Sequence, residues 1–270
     1  MNKSPIGVFD SGLGGLTAVK ELMRLMPHED IVYFGDTSRV PYGNRSRETI
    51  QKYARQDARF LLSQNVKMII AACGTVSSVA AGLLDELSVP FTGVVTPTSL
   101  AAARATKNGR VGVIGTTATI KSGSYQRELR SINHKIEVFE KDCPLFVPLV
   151  ENGFISPDDP VPCTVAERYL TGLKSQGVDT VILGCTHYPI MSAIIQKVMG
   201  SSVTLIDSGR ETALYAAGVL KERGLLNERD KMGVPSFYVS DRAEGFSQIA
   251  GLFLGQDMHH SVSRIDIEAY

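Results

Sequence analysis

Val178-Asp-Thr-Val-Ile-Leu-Gly-Cys185-Thr186-His187-Tyr188-Pro189 decides how the rest of the chain is read. An apolar run rich in β-branched residues stops at Gly184, and a cysteine, a threonine and a histidine follow at once. A strand covered on both faces reads as such a run, and its polar residues then collect at the carboxyl end, where open α/β sheets bind ligands. The same construction occurs earlier, in Val66-Lys-Met-Ile-Ile-Ala-Ala-Cys73-Gly74-Thr75. A constant offset of 112 residues lays Val66 on Val178, Ile69 on Val181, Ile70 on Ile182 and Cys73 on Cys185. Two strands are therefore expected to end in a cysteine each.

Outward from these strands the chain alternates. Strand-like runs at 6–9, 31–34, 67–72 and 91–95 are interleaved with helical patterns at 16–26, 47–65, 75–87 and 96–107. The pattern then restarts, because Val111-Gly-Val-Ile-Gly-Thr-Thr117 echoes Ile6-Gly-Val-Phe-Asp-Ser-Gly12 at an offset of 105. A helix at 122–131, a strand at 136–139, an irregular proline-rich loop and a helix at 165–176 lead to the second cysteine strand. A strand at 203–206, a helix at 211–223, a strand at 237–239 and a helix at 243–254 complete the chain. Strict alternation argues for parallel sheets with helices on both faces. The restart argues for two doubly wound parallel-sheet α/β domains related by pseudo-twofold symmetry, 1–96 plus 209–270 and 97–208, with the site in the cleft between them.

Composition narrows the chemistry. The 270 residues are 43% hydrophobic, enough for a large core, and 28 Lys+Arg balance 28 Asp+Glu without a long like-charge run. That excludes a basic footprint for nucleic acid and a polybasic membrane patch. Met1 to Pro5 leads directly into a strand without an apolar signal core, and no segment is long and apolar enough to span a bilayer, so a cytoplasmic location is expected. Four cysteines, at 73, 143, 163 and 185, are too sparse for a disulfide scaffold and lack Cys-x-x-Cys spacing for structural zinc. Cys143 and Cys163 lie among prolines and read as packed thiols. The turn Asp10-Ser-Gly-Leu-Gly-Gly15 departs from the Gly-x-Gly-x-x-Gly spacing of a dinucleotide fingerprint.

Cys73 and Cys185 are the chemical candidates. A thiolate is the reactive form, and a helix N-terminus or a cation raises its fraction. Each cysteine is expected just before a helix start, His187 stands two residues after Cys185, and Asp10 ends a strand expected beside that of Cys73. One thiol per half, each with an acid/base helper, suits removal of a proton from one face of a carbon and delivery to the other, which is racemisation or epimerisation.

Asp10-Ser-Gly-Leu-Gly-Gly15, Asp36-Thr-Ser-Arg-Val-Pro-Tyr-Gly43, the Cys73 loop, Ile114-Gly-Thr-Thr-Ala-Thr-Ile120, Pro148-Leu-Val-Glu-Asn-Gly153 and Gly184-Cys-Thr-His-Tyr-Pro189 together resemble the glutamate racemases of the cofactor-independent aspartate/glutamate racemase superfamily. The resemblance runs over nearly the whole chain; the last fifteen residues or so add nothing. It implies interconversion of L- and D-glutamate for peptidoglycan synthesis without a cofactor or metal, in a cytoplasmic homodimer. It implies Cys73 and Cys185 as the two bases, assisted by Asp10 and His187 respectively. Ser11, Pro41, Tyr42, Gly43, Gly74, Thr75, Thr116, Thr119 and Thr186 would hold the substrate, with Glu151 behind His187.

Where the family usually carries Cys-Asn-Thr, this chain has Cys73-Gly74-Thr75. An amide that would hydrogen-bond the amino acid is missing, a loss of roughly 1 to 3 kcal/mol if its partner stays unpaired. The change bears on affinity and substrate identity more than on reaction type. The alternatives are a racemase of aspartate or a hydantoin, a one-thiol decarboxylase, which the second cysteine disfavours, and a two-lobed amino-acid-binding protein of weak activity.

Overall fold

The computed structural model describes residues 3–80, 82, 87–243, 246–255 and 262–270, the side chains of 247–249 excepted. Its strands are β1 (Ile6–Asp10), β2 (Ile31–Gly35), β3 (Met68–Ala71), β4 (Phe91–Gly93), β5 (Arg110–Gly115), β6 (Glu137–Asp142), β7 (Thr180–Leu183), β8 (Thr204–Asp207), β9 (Pro235–Val239) and β10 (Val262–Arg264). They form two sheets, ordered β10-β9-β2-β1-β3-β4 and β6-β5-β7-β8, and every neighbouring pair is parallel. The four strands β2-β1-β3-β4 of the first sheet recur in order as β6-β5-β7-β8.

Register repeats as well. Ile6 pairs with Met68 in the first sheet, and Val111 pairs with Thr180 in the second. These are the residues that the 105- and 112-residue offsets relate, so the internal echo in the sequence is a structural repeat.

The helices are α1 (Leu16–Leu25), α2 (Arg47–Ser63), α3 (Gly74–Val79), α4 (Val95–Ala105), α5 (Thr117–Ser122), α6 (Ser124–Ile132), α7 (Phe146–Glu151), α8 (Pro160–Ser175), α9 (Ser192–Met199), α10 (Ser208–Glu222) and α11 (Phe246–Leu254). Period-two alternation splits β1 between two cores. Ile6 and Val8 pack with Leu16, Val19 and Leu22 of α1, whereas Phe9 packs with Ile50, Ala54 and Phe60 of α2. Each such buried side chain contributes about 1.5–3 kcal/mol of transfer free energy. Helices therefore cover both faces, which is why β1, β2, β3 and β7 are buried at every residue.

Several elements differ from expectation. The proline-rich stretch read as irregular contains α7 and the first turn of α8. Pro160 stands at the start of α8, and Asp159 caps it by accepting the Val161 N–H. Proline is favoured there because that N–H has no helical partner. The helix expected at 122–131 is preceded by α5, and left-handed Gly123 (φ +62°) separates α5 from α6. The segment expected to be uninformative supplies β10, an added parallel edge strand, and a short turn that buries Ile267. Of the helix expected at 75–87, α3 covers the start; residues 81 and 83–86 lie outside the described residues. The expected domain changeovers at 96/97 and 208/209 fall in the first turns of α4 and α10, so both crossings are helical, and the two helices pack together.

Candidate active site

Parallel strands gather their carboxyl ends on one edge. In the first sheet this edge presents the loops after β1, β2 and β3; in the second, those after β5, β6 and β7. A cavity of about 350 Å³ lies between them. Ser11, Pro41, Tyr42, Gly43, Cys73, Gly74 and Thr75 line it from one side, and Thr116, Glu151, Cys185, Thr186 and His187 from the other. Both candidate thiols therefore border one space.

Two expected residues stand behind this lining. Thr119 is fully buried, with its hydroxyl 3.0 Å from that of Thr116, whose Oγ1 also accepts the Thr119 N–H. It supports Thr116 instead of facing the cavity. Asp10 is 1% exposed, and its carboxylate accepts the Gly12 N–H at 2.9 Å and the Thr186 hydroxyl at 3.5 Å. Cys73 itself donates to the Ser11 hydroxyl at 3.5 Å. The group within hydrogen-bond distance of the thiol is thus Ser11, while Asp10 acts on it through its charge and accepts from Thr186 of the second sheet's edge.

Cys73 is the residue before α3, as expected. Cys185 is not followed directly by an α-helix; a 3-10 turn, Tyr188–Met191, comes next. His187 Nδ1 lies 3.9 Å from Cys185 Sγ, and Nε2 lies 3.1 Å from Glu151 Oε1. Phe253 of α11 meets the imidazole edge-on at 5.2 Å between centroids.

These surroundings treat the two sides unequally. Burial, and then the Asp10 charge, push the Cys73 thiol up to about 12. Burial alone would lower His187, but hydrogen bonds to Cys185 and Glu151 and the charges of Cys185 and Asp10 outweigh it and hold the imidazole at about 10. Burial raises the Asp10 carboxyl, against the opposing His187 charge and the Gly12 and Gly15 N–H groups. At neutral pH the site thus holds a protonated thiol at Cys73 and a cation beside Cys185.

The loop carrying Pro41, Tyr42 and Gly43 is fixed from behind by a buried cluster. Arg39 donates to Asp36 at 2.5 Å, Gln56 at 2.6 Å, and Asp57 and Glu268 at 3.2 Å each, and it stacks on Tyr53. The Tyr42 hydroxyl donates to Asp36 and lies 3.2 Å from Asp57. Sequence reasoning missed this cluster because its members are spread from residue 36 to residue 268. It also missed the apolar wall of Val147 and Pro148, although the four-residue spacing of Phe146 and Val150 carried the helical signal. Among the described residues, no group of three or more His, Cys, Asp or Glu could hold a metal ion, and no helix is long and apolar enough to cross a membrane.

Residues 16–216 match the Asp/Glu/Hydantoin racemase family. The chain belongs to that family. It is 46% identical over 257 residues to the glutamate racemase of Chlorobaculum tepidum, covering 94% of each chain. Among solved structures it superposes with a TM-score of 0.93 on the glutamate racemase of Francisella tularensis bound to D-glutamate, at 40% identity and full coverage of both. The Thermus thermophilus glutamate racemase bound to β-chloro-D-alanine gives a TM-score of 0.88 at 44% identity, with 99% of each chain covered.

Proposed function

We propose that this chain interconverts L- and D-glutamate by a two-base exchange at Cα, with Cys73 and Cys185 as the proton-transferring groups. The observation that carries the reading is the pair of thiols at the ends of equivalent strands, bordering one cavity from opposite lobes. In one direction Cys185, whose sulfur lies 3.9 Å from His187 Nδ1, acts as the base. Cys73 keeps its proton and is the acid. The Cys185 thiolate takes the Cα proton, the electron pair delocalises into the substrate carboxylate, and the Cys73 thiol protonates the opposite face. The reverse direction exchanges the two roles.

Deprotonating an amino acid at Cα needs donors aimed at the developing charge in a site that excludes water. Ser11, Thr75, Thr116 and Thr186, with the backbone N–H groups beside each cysteine, fill that role here. Pro41, Tyr42 and Gly43 close the other side of the substrate, and Glu151 orients His187. The lobes comprise 1–96 plus 209–270 and 97–208. On this reading the enzyme works without a cofactor, as a cytoplasmic homodimer, and supplies D-glutamate to peptidoglycan synthesis.

Incubation of the purified protein with L-glutamate in heavy water, following chirality and deuterium together, tests the proposal. Racemisation accompanied by deuterium at Cα is expected. A panel including aspartate tests the substrate, since faster turnover of aspartate would displace glutamate. Binding without any change in optical rotation would favour a binding protein, and sedimentation reads the homodimer.

A further inference from the structure

A Cβ at position 74 would lie 2.3 Å from the carbonyl oxygen of Gly184, 3.3 Å from its carbonyl carbon and 3.8 Å from Cys185 Cα. Backbone, and not the tip of a flexible side chain, occupies that space, so no rotamer change relieves the contact. Nor is the Gly184 peptide free to retreat. Its N–H donates to Ile114 at 2.8 Å, and a Cβ on Gly184 itself would lie 2.7 Å from the same carbonyl oxygen. The peptide before one thiol therefore rests on the residue after the other, with no side chain between them.

Nearby bonds hold this seam closed. Thr75 and Thr116 bring their hydroxyls to 3.1 Å, and the Thr17 hydroxyl donates to the Thr186 carbonyl at 3.2 Å. We infer that Gly74 is a positioning residue: its lack of a side chain sets the separation of the two lobes at the thiols, and with it the gap between the reacting sulfurs. The inference rests on the two-thiol reading of the site. Restoring an ordinary carbon–oxygen contact at position 74 requires the two peptides to part by about 1 Å. An asparagine side chain at position 74 cannot occupy the present arrangement.

The test compares Gly74→Ala and Gly74→Asn with Gly218→Ala, an exposed position in α10 where a Cβ meets nothing within 4 Å. A misplacement of about 1 Å at reacting groups costs on the order of 10²-fold in rate. Both Gly74 variants are expected to lose about that much kcat for racemisation. Deuterium incorporation without inversion should fall far less, because each thiol can still reach Cα alone. Gly218→Ala should match the parent. An unchanged ratio of inversion to exchange, or a loss confined to KM, overturns the inference. So does a Gly74→Ala chain that no longer folds, since lobes that set a gap can part whereas a core glycine cannot be replaced. A crystal structure of Gly74→Ala separates failure of the inference from failure of the functional reading: an unchanged distance between Cys73 and Cys185 sinks the inference even if the parent proves inactive on glutamate.

Discussion

Cys73 and Cys185 end strands that pair in the same register with their neighbours, yet the two sulfurs meet different chemistry. Cys73 leads into a helix, faces the Ser11 hydroxyl and lies within the field of the Asp10 carboxylate. Cys185 leads into a 3-10 turn and faces an imidazole that Glu151 helps to keep charged. The repeat has copied the backbone without the charges. On the two-base proposal, this difference gives the two faces of the substrate unlike partners.

Removing either sulfur is the strongest way to break the comparison. Cys73→Ala and Cys185→Ala should each cut racemisation by about 10³-fold or more, in the range lost with an acid/base group. The remaining thiol should still exchange the Cα hydrogen of one enantiomer, a different one in each variant. Polarimetry combined with mass spectrometry reads both quantities. Near-parental racemisation in either variant would remove the two-base assignment.

The loop facing Cys73 from Pro41 to Gly43 rests on a buried charge cluster. On the first side, Arg39 is the cation between the buried carboxyls Asp36 and Asp57, and burial followed by the Asp36 charge raises Asp57 well above the usual carboxylate range. Arg39→Ala strands those groups and should cost about 3–5 kcal/mol in urea unfolding, together with a raised KM through the Tyr42 loop. Glu268 sits at the exposed rim of the cluster, its side chain 58% accessible, and Glu268→Ala should cost less than about 1 kcal/mol. Equal losses in the two variants would show that burial does not set the strength of this cluster.

His187 links the comparison to pH. Its folded value of about 10 stands above the ordinary 6.5, so the folded state binds the extra proton between those limits. The stabilisation is complete below about pH 6.5 and is lost as the pH rises towards 10. Melting temperature should therefore fall over that interval in the parent and stay flatter in His187→Asn. The same variant should lose about 10²-fold in racemisation, the lower end of the range for a group assisting proton transfer. A parental slope in His187→Asn would mean that another group carries the titration.

Much of this was legible in the sequence, for identifiable reasons. Buried parallel strands leave continuous apolar runs, so Cys73 and Cys185 stood out at strand ends, and the offsets between Ile6 and Val111 and between Met68 and Thr180 carried the register. Charges read less well. That Ser11, not Asp10, meets the Cys73 sulfur depends on where a tight turn aims adjacent side chains, which spacing does not encode. Thr119 lies in the first turn of α5, behind Thr116, and the serine- and threonine-rich composition of that helix hid it. Gly74 was visible as a missing amide. Its role against Gly184 emerges only when the two sheets meet.

Glu151→Gln carries the smallest expected effect and sharpens the comparison most. The Glu151 side chain is 44% accessible, so water screens much of its charge, and glutamine still offers an oxygen to His187 Nε2. Racemisation near pH 7 should change by no more than about threefold, within the 0–1 kcal/mol typical of an exposed pair. The pH profile should move nonetheless. Glu151 raises the His187 value through its hydrogen bond to Nε2, and a neutral amide accepts that bond more weakly than a carboxylate, so the imidazole releases its proton at lower pH and the basic limb of kcat moves downward. Ser11→Ala, the corresponding change beside Cys73, replaces a neutral partner and should lower kcat without moving that limb. If the two variants shifted the profile alike, the charge difference between the lobes would not govern proton transfer.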